Sequence, residues 1–332
     1  MYNKKPIIAI TIGEASGVGP EILLKALDEG SIFEKCYPLI IGDYKIIDKA
    51  QKNLSLNFSF LTISEVDEAN WNKINVIDMN NIPLNDFEIG KPNAVTGQAM
   101  IDYTKKAVDL ALKGQVHGAV GGPHSKKAAE EAGYHFEGYP DLISNIANTE
   151  DPYLMLVSND IRIANVTLHV SLRKAVNMIK QETVLDCINK VHQSVKSFGV
   201  SDPKIAVAGL NPHAGESCMF GTEDAYEIEP AVQAAQQKGI NVVGPLPADS
   251  LFYHINNKKY DAYVAMYHDQ AHIPIKVVAF KSASAVAIGV PINWATVDHG
   301  CALDIAWKGV ADPNVIIETI KLTSSMKIKK EI

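Results

Sequence analysis

PIIAITIGEASGVGPEILLKA (residues 6–26) combines a short apolar run, a glycine-rich turn and a segment that starts on a proline. Pro6–Ile12 is rich in isoleucine, which is typical of a strand buried inside a sheet. Pro20 suits the first position of a helix, where its missing N–H would have no partner in any case. A strand, a tight turn and a helix in this order predict a parallel sheet with helices packed on it.

The same alternation continues along the chain. Further strands are expected at Tyr37–Ile41, Gly118–Val120, Arg162–Leu168, Lys204–Ala208, Tyr260–Met266 and Ala283–Ile288. Helices are expected at Ala94–Leu112, Leu172–Ile179, Glu182–Phe198, Glu223–Lys238 and Ala302–Trp307. The expected fold class is therefore α/β, with mostly parallel sheets and helices on their faces.

Composition limits the possible classes of protein. The chain has 332 residues, enough for about two domains or one large α/β unit. Its 31 Lys and Arg against 38 Asp and Glu give a net charge of −7, which predicts neither a nucleic-acid nor an anionic-membrane partner. The four cysteines lie far apart, as in a protein with reduced thiols. The brief apolar run near the start does not resemble a signal peptide, so a cytoplasmic protein is expected.

Three histidines follow apolar runs in polar, turn-rich contexts: His169 in TLHV (167–170), His213 in NPHAGE (211–216) and His268 in YHDQ (267–270). Their separation excludes a local metal motif, so only the fold can bring them to one ion. Three neutral imidazoles with one open position are a ligand set for catalytic zinc, and other divalent ions accept it too. A single histidine is more often structural, and that interpretation stays open here.

Three loops are ambiguous when taken alone. GEASGVGPE (13–21) fails the dinucleotide fingerprint because Ile22 occupies the place of the last glycine, so it is either a tight turn or a substrate loop. Asp249, at the end of GPLPAD (244–249), suits either a helix cap or a general base. DHGCALD (298–304) is interpreted as a turn into a helix, whose N-terminus would suit polar groups of a cofactor.

Taken together, these motifs resemble the 4-hydroxythreonine-4-phosphate dehydrogenase (PdxA-like) family over almost the whole chain. The resemblance implies two α/β/α domains around a cleft, in an isocitrate/isopropylmalate dehydrogenase-like fold. The expected domains are 1–125 plus 277–332 on the cofactor side and 126–276 with the metal ligands and dimer contacts. A homodimer is implied, with the active site near the subunit interface.

The resemblance also implies the chemistry. A divalent metal, zinc first and Mg, Mn, Co or Fe as alternatives, is expected on His169, His213 and His268. NAD or NADP would accept the hydride from a secondary alcohol β to a carboxylate, and carbon dioxide would then be lost. Asp249, Asp269 and Lys126 are the candidate catalytic groups. The expected cofactor contacts are Asp298, His299, Gly300, Cys301 and Asn211.

The expected phosphate pocket departs from the family pattern. Tyr139-Pro140 stands where the family has His-Thr, Ala285 where it has Asn, and Trp294 where it has Arg, whereas Lys276 is retained. Losing a bidentate arginine removes a fork that lysine does not replace. We therefore expect an altered substrate that contacts Tyr139, Ala285 and Trp294. Arg173, His124, Lys126 and Lys276 are the groups expected to hold its carboxylates.

Other functions stay open at this point. One is a terephthalate-dihydrodiol-type or sugar-acid dehydrogenase, whose substrate also has a hydroxyl β to a carboxylate. Another class is an acyl- or phosphoryl-transferase on a similar scaffold, because a fold does not determine its chemistry. A third is a metal-binding protein without catalytic activity.

Overall fold

Strands and helices alternate through residues 5–327, the part of the chain that a computed structural model describes. The expected first domain also includes residues 1–4 and 328–332, which lie outside the described residues. The chain divides into two compact units. The first comprises the described residues up to Asn148 together with those from Pro291 onward, and the second is Thr149–Val290.

The strands are β1 (Ile7–Thr11), β2 (Tyr37–Gly42), β3 (Phe60–Ile63), β4 (Ile74–Asp78), β5 (Gly118–Gly121), β6 (Tyr153–Ser158), β7 (Ile161–Asn165), β8 (Ile205–Ala208), β9 (Val242–Leu246), β10 (Ala262–Ala265), β11 (Ser284–Ile288) and β12 (Trp294–Val297). The helices are α1 (Gly19–Glu29), α2 (Tyr44–Asn53), α3 (Ala94–Leu112), α4 (Lys126–Glu131), α5 (Tyr139–Ala147), α6 (Leu172–Met178), α7 (Gln181–Ser197), α8 (Glu229–Gln237), α9 (Ala248–Leu251), α10 (His268–Ala279) and α11 (Asn314–Ser325).

The strands of the first unit lie in the order β3-β4-β2-β1-β5-β12 and all pair in parallel. β1 lies inside this sheet, where Ile10 pairs with Ile40 on one side and with Val120 on the other. All three side chains are fully buried. The isoleucine-rich opening segment is thus a strand covered on both faces, as its composition predicts.

The second unit has the strand order β11-β6-β7-β10-β8-β9. β7, β10, β8 and β9 run parallel, whereas β6 is antiparallel to both β7 and β11. A two-residue turn, Asn159-Asp160, joins β6 to β7, and only an antiparallel pair allows so short a connection. The expected α/β class with mostly parallel pairing is confirmed.

Two expectations about local structure are wrong. Residues 302–307 form turns, not a helix, because Ala302 (φ 43°) and Trp307 (φ 59°) have left-handed backbone conformations that an α-helix cannot include. The segment expected as one helix at Glu223–Lys238 begins with a π-helical turn at Asp224–Ile228 before α8. Among residues 5–327, no helix combines the length and the apolar character needed to span a bilayer.

Candidate active site

Four of the predicted site residues follow the carboxyl ends of four neighbouring strands in the second unit. Along the parallel set β7-β10-β8-β9, the chain continues into His169, His268, His213 and Asp249 respectively. Parallel strands end at the same edge of a sheet, and this edge is where open α/β sheets bind ligands. His169 and His268, 99 positions apart in the sequence, are thereby brought to one edge, because β7 and β10 pair in parallel with Asn165 opposite Ala265.

Two of the three predicted metal histidines are in ring contact. The centroids of the His169 and His268 imidazoles are 5.5 Å apart, and the rings are tilted by 44°. His268 is the first residue of α10, and 35% of its side chain is exposed. Its Nδ1 lies 3.6 Å from Oδ2 of Asp269. In metal sites, a carboxylate beside the ring nitrogen that does not bind the metal often orients the histidine.

His213 lies in the tight turn at Pro212–Gly215, where its φ is 52°, and 62% of its side chain is exposed. Its Nδ1 is 3.1 Å from Oε2 of Glu216, and its ring meets Phe220 edge-on. Within residues 5–327 of one chain, no group of three or more His, Cys, Asp or Glu side chains is arranged to hold a metal ion. The imidazole donors suit zinc and similar divalent ions, and of the three predicted ligands, His169 and His268 are in ring contact within the described part of one chain.

A buried carboxylate holds the segment that leads to His213. Asp224 is 1% exposed and accepts hydrogen bonds from the backbone N–H groups of Leu210 (2.8 Å) and Asn211 (3.1 Å). It also accepts one from Nδ2 of Asn211 (2.8 Å), which donates to Glu223 at the same distance. This hydrogen bond lowers the pKa of the Glu223 carboxyl. The Asn211 amide nitrogen, expected to bind cofactor, is thus committed to the protein itself.

Hydrogen bonds of Gln270 and Thr167 connect the strand ends of this unit. Nε2 of Gln270 donates to the carbonyl of Gly209, and its Oε1 accepts from the N–H of Met266. Thr167 donates its hydroxyl to the carbonyl of the same Met266. The segments after β7, β8 and β10 are therefore fixed to one another, which keeps this edge of the sheet ordered.

The first unit collects a second set of loops. Its neighbouring strands β1, β5 and β12 are followed by residues 12–18, 122–125 and 298–301. Gly13 has φ 67°, and a Cβ there would lie 2.3 Å from the carbonyl oxygen of Pro123. A Cβ on Gly17 would lie 2.8 Å from the carbonyl oxygen of Cys301. The glycines of this loop are therefore required for close packing of three loops.

Glu14, which stands where the family pattern has the shorter Asp, is a buried acid at this edge. It is fully buried, and its Oε1 accepts the N–H of Ser16 at 3.0 Å. Burial raises the pKa of its carboxyl, although the hydrogen bond from Ser16 opposes the shift. Burial, with a smaller contribution from Glu14, also raises the pKa of the Cys301 thiol to about 12. Cys301 is thus a neutral thiol packed under the loops, not a reactive thiolate.

Three expected substrate contacts lie in the protein interior. Tyr139 is 1% exposed, donates its hydroxyl to the carbonyl of Gly122 (2.8 Å), and packs between His124 (4.6 Å between ring centroids) and Trp294 (5.3 Å). Trp294 is fully buried, and Ala285 is 4% exposed on β11. In this conformation, buried side chains offer a bound molecule no accessible surface, so the structure gives these three a packing role.

The remaining predicted residues lie at or near the surface. Asp298 is half-buried directly after β12, followed by the exposed His299 and Gly300, where Nδ1 of His299 is 2.9 Å from the Gly300 carbonyl. No helix follows them, so the expected helix N-terminus for a cofactor is absent from this part of the described chain.

Four more side chains complete the predicted set. Lys126 is exposed at the start of α4, and Arg173 is exposed on α6. Lys276 is half-exposed on α10, with Nζ 5.4 Å from the Phe280 ring centroid. Asp249, on α9, is exposed.

Comparison with known proteins agrees with this architecture. Residues 34–323 match the family described as "Pyridoxal phosphate biosynthetic protein PdxA". A Clostridium botulinum protein that bears the name D-threonate 4-phosphate dehydrogenase is 40% identical over 99% of this chain and 100% of its own length. The structure of a 4-hydroxythreonine-4-phosphate dehydrogenase from Burkholderia phymatum is 34% identical, with a TM-score of 0.87 over 99% of this chain and all of that one. A terephthalate 1,2-cis-dihydrodiol dehydrogenase from Burkholderia xenovorans is 30% identical, with a TM-score of 0.69 over 97% and 98% of the two chains.

These findings define the class first: the protein is an α/β oxidoreductase of the dehydrogenase type. A hydroxy-acid dehydrogenase, as expected from the motifs, is therefore confirmed at this level. The chain belongs to the PdxA family.

Proposed function

We propose that this protein oxidises a small phosphorylated hydroxy acid at the hydroxyl β to its carboxylate, using NAD or NADP and a divalent cation, and that the product loses carbon dioxide. The observation that carries the proposal is the order of strand ends in the second unit, which places three histidines and Asp249 along one edge. Relatives named for substrates that carry both a hydroxy acid and a phosphate support the same reaction.

The proposed reaction balances in two steps. The C–H bond of the alcohol carbon breaks and its hydride passes to NAD(P)⁺, while the hydroxyl proton passes to a base. The bond to the carboxylate then breaks, carbon dioxide leaves, and the remaining enolate takes up a proton. A divalent cation, when bound, supplies a Lewis acid that favours ionisation of a hydroxyl group. His169, His268 and His213 would hold it.

The chain's own residues supply the proton transfers. Asp249 and Asp269 are exposed carboxylates, one on α9 after β9 and one next to His268 on α10. An exposed carboxylate exchanges protons freely with water, as a proton carrier must. Lys126 at the start of α4 is the third candidate. Asp298 and His299, in the turn after β12, remain the proposed contacts for the cofactor.

D-threonate 4-phosphate is the first substrate to test, because a relative named for it is 40% identical over nearly the full length. The assay follows NADH or NADPH formation by the full chain, after chelation and after return of zinc, magnesium, manganese or cobalt. D-threonate 4-phosphate, 4-hydroxythreonine 4-phosphate and unphosphorylated D-threonate are compared. Preference for a phosphorylated acid, with activity restored by a metal, supports the proposal.

Other results would contradict it. Equal turnover of D-threonate and its phosphate would instead favour the altered phosphate pocket inferred from Tyr139 and Trp294. Turnover of a cis-dihydrodiol acid alone would favour the terephthalate-type alternative. Absence of reduced cofactor with every acid would refute the dehydrogenase. His169→Ala should lower kcat/KM at least about 100-fold if the cation is essential. His192→Ala, which removes a half-buried histidine of α7, serves as the matched control.

We also propose that two copies assemble to complete the cation site. The outer face of α10 and the residue that follows it expose Ile273 (61%), Val277 (79%) and Phe280 (71%). Such an apolar face on the helix that begins at His268 is suited to burial against a second copy. Since residues 5–327 of one chain do not group three such ligands, a subunit contact here would explain where the third comes from. The Val277→Glu variant should be a monomer by light scattering, and the same variant should have lost its metal-dependent activity.

A further inference from the structure

A fourth histidine, His272, stacks on the imidazole of His268 one turn further along α10. The two ring centroids are 3.7 Å apart and the planes differ by only 8°. By contrast, the His169 ring is 5.5 Å away and tilted. The His-x-x-x-His spacing places both imidazoles on one face of the helix, a pattern that metal sites also use.

His272 is itself held in place. It is 9% exposed, and its neighbours Ala271 and Ile275 are fully buried in the core of the second unit. Its Nδ1 lies 2.9 Å from the backbone carbonyl oxygen of His268. A carbonyl oxygen only accepts, so Nδ1 of His272 carries the proton. Burial and this hydrogen bond together fix the plane of the His272 ring.

His268 needs such a neighbour. More than a third of its side chain is exposed at the first position of the helix, where a histidine ring rotates over a broad range about its second torsion. A parallel ring at stacking distance selects one plane for the His268 imidazole. Oδ2 of Asp269 lies on the Nδ1 side of that ring, 3.6 Å from Nδ1. The nitrogen that remains for a ligand is Nε2.

We propose that His272 is a positioning residue: its flat ring holds the His268 imidazole in the orientation in which Nε2 binds a divalent cation. The inference rests on the proposed function, because it gives the stacked pair a purpose only if His268 is a ligand. It assigns to His272 an effect on cation affinity, transmitted by ring contact.

The test measures cation binding by the full chain, with zinc titration by calorimetry and the visible spectrum of the cobalt form. His272→Leu removes the flat ring and should weaken zinc binding by about 10- to 100-fold, the usual effect of losing a group that orients a ligand. It should also change the cobalt spectrum, because the ligand is reoriented. His272→Phe keeps a flat face and should bind zinc nearly as tightly as the wild type. His192→Leu, which removes a half-buried histidine of α7, is the matched control.

Each outcome decides a different point. Wild-type zinc affinity in His272→Leu overturns the positioning role and leaves the proposed function intact. Equal losses in His272→Leu and His272→Phe overturn the stacking account, since the ring face is then irrelevant. A wild-type protein without zinc or cobalt affinity overturns both this inference and the proposed function. Thermal unfolding verifies the fold, and His272→Met, flexible and of similar volume, replaces the leucine variant if that one does not fold.

Discussion

Replacing Asp224 with alanine should selectively loosen the segment that presents His213. The carboxylate is buried and accepts the N–H groups of Leu210 and Asn211 and the side-chain amide of Asn211, at 2.8, 3.1 and 2.8 Å. Truncation leaves the two backbone donors without this acceptor, whereas Nδ2 of Asn211 keeps its hydrogen bond to Glu223. The substitution therefore removes three hydrogen bonds to a charged group and leaves two half-buried backbone donors without that acceptor.

The cost follows from these contacts. A hydrogen bond to a charged group contributes roughly 1.5–3 kcal/mol, and three bonds to one carboxylate are not additive. We expect Asp224→Ala to lower the free energy of unfolding of the second unit by about 3–4 kcal/mol. Glu223→Ala is the matched control: Glu223 is half-buried and accepts one hydrogen bond from Asn211, so its loss should cost about 1 kcal/mol or less.

Urea unfolding followed by circular dichroism measures this loss. Tryptophan fluorescence would not, because Trp71, Trp294 and Trp307 all belong to the first unit. Hydrogen exchange gives the local readout: the amides of Leu210 and Asn211 should lose most of their protection in Asp224→Ala and keep it in Glu223→Ala. A loss below about 1 kcal/mol, or unchanged protection of both amides, would refute the role assigned to this carboxylate.

Three further predictions concern the loops. Glu14→Gln should raise the Tm more at pH 8 than at pH 5. A carboxyl group with a raised pKa stabilises the folded state below the unfolded pKa of about 4.3, and this contribution is lost as the pH rises through the folded pKa. A pH-independent change in Tm would contradict this explanation. Gly17→Ala should destabilise by about 1–3 kcal/mol, measured by urea unfolding, since its Cβ would meet the Cys301 backbone at 2.8 Å. Cys218→Gly should stabilise by about 0.5–1 kcal/mol at φ 69°, whereas Cys218→Ala, which keeps a Cβ, should not; equal Tm values for the two variants would contradict this explanation.

Local sequence pattern was sufficient for the strands and helices that bury one continuous apolar run. β1, β2 and β5 lie within a residue or two of their expected bounds, and α3 begins and ends as expected at Ala94–Leu112. The helix expected at 302–307 is wrong because Ala302 and Trp307 adopt left-handed conformations, although the composition of the segment is compatible with a helix. Local propensity does not contain that information.

The site was predictable only as a set of candidates. The sequence indicates that His169, His213 and His268 each follow a strand, but not that β10 lies between β7 and β8, which is what makes their edges adjacent. Asp224 carries no local signal, because its partners lie at positions 210–211, across the turn that holds His213. The burial of Tyr139 and Trp294 also depends on tertiary packing, which the sequence does not reveal. Both rings were expected to contact substrate, and both lie in the core.

The backbone around His213 gives the strongest reason to regard this edge as functional. Six successive residues, His213–Cys218, all have positive φ, and only one of them is glycine. Each non-glycine residue in the left-handed conformation costs roughly 1–2 kcal/mol, so this segment is strained and its conformation must be stabilised by the surrounding structure. Asp224 supplies part of that restraint at the preceding residues. If the conformation served stability alone, glycine at position 218 would be the better choice. We therefore expect Cys218→Gly to gain stability without gaining activity, because the strained turn is retained for the position of its histidine.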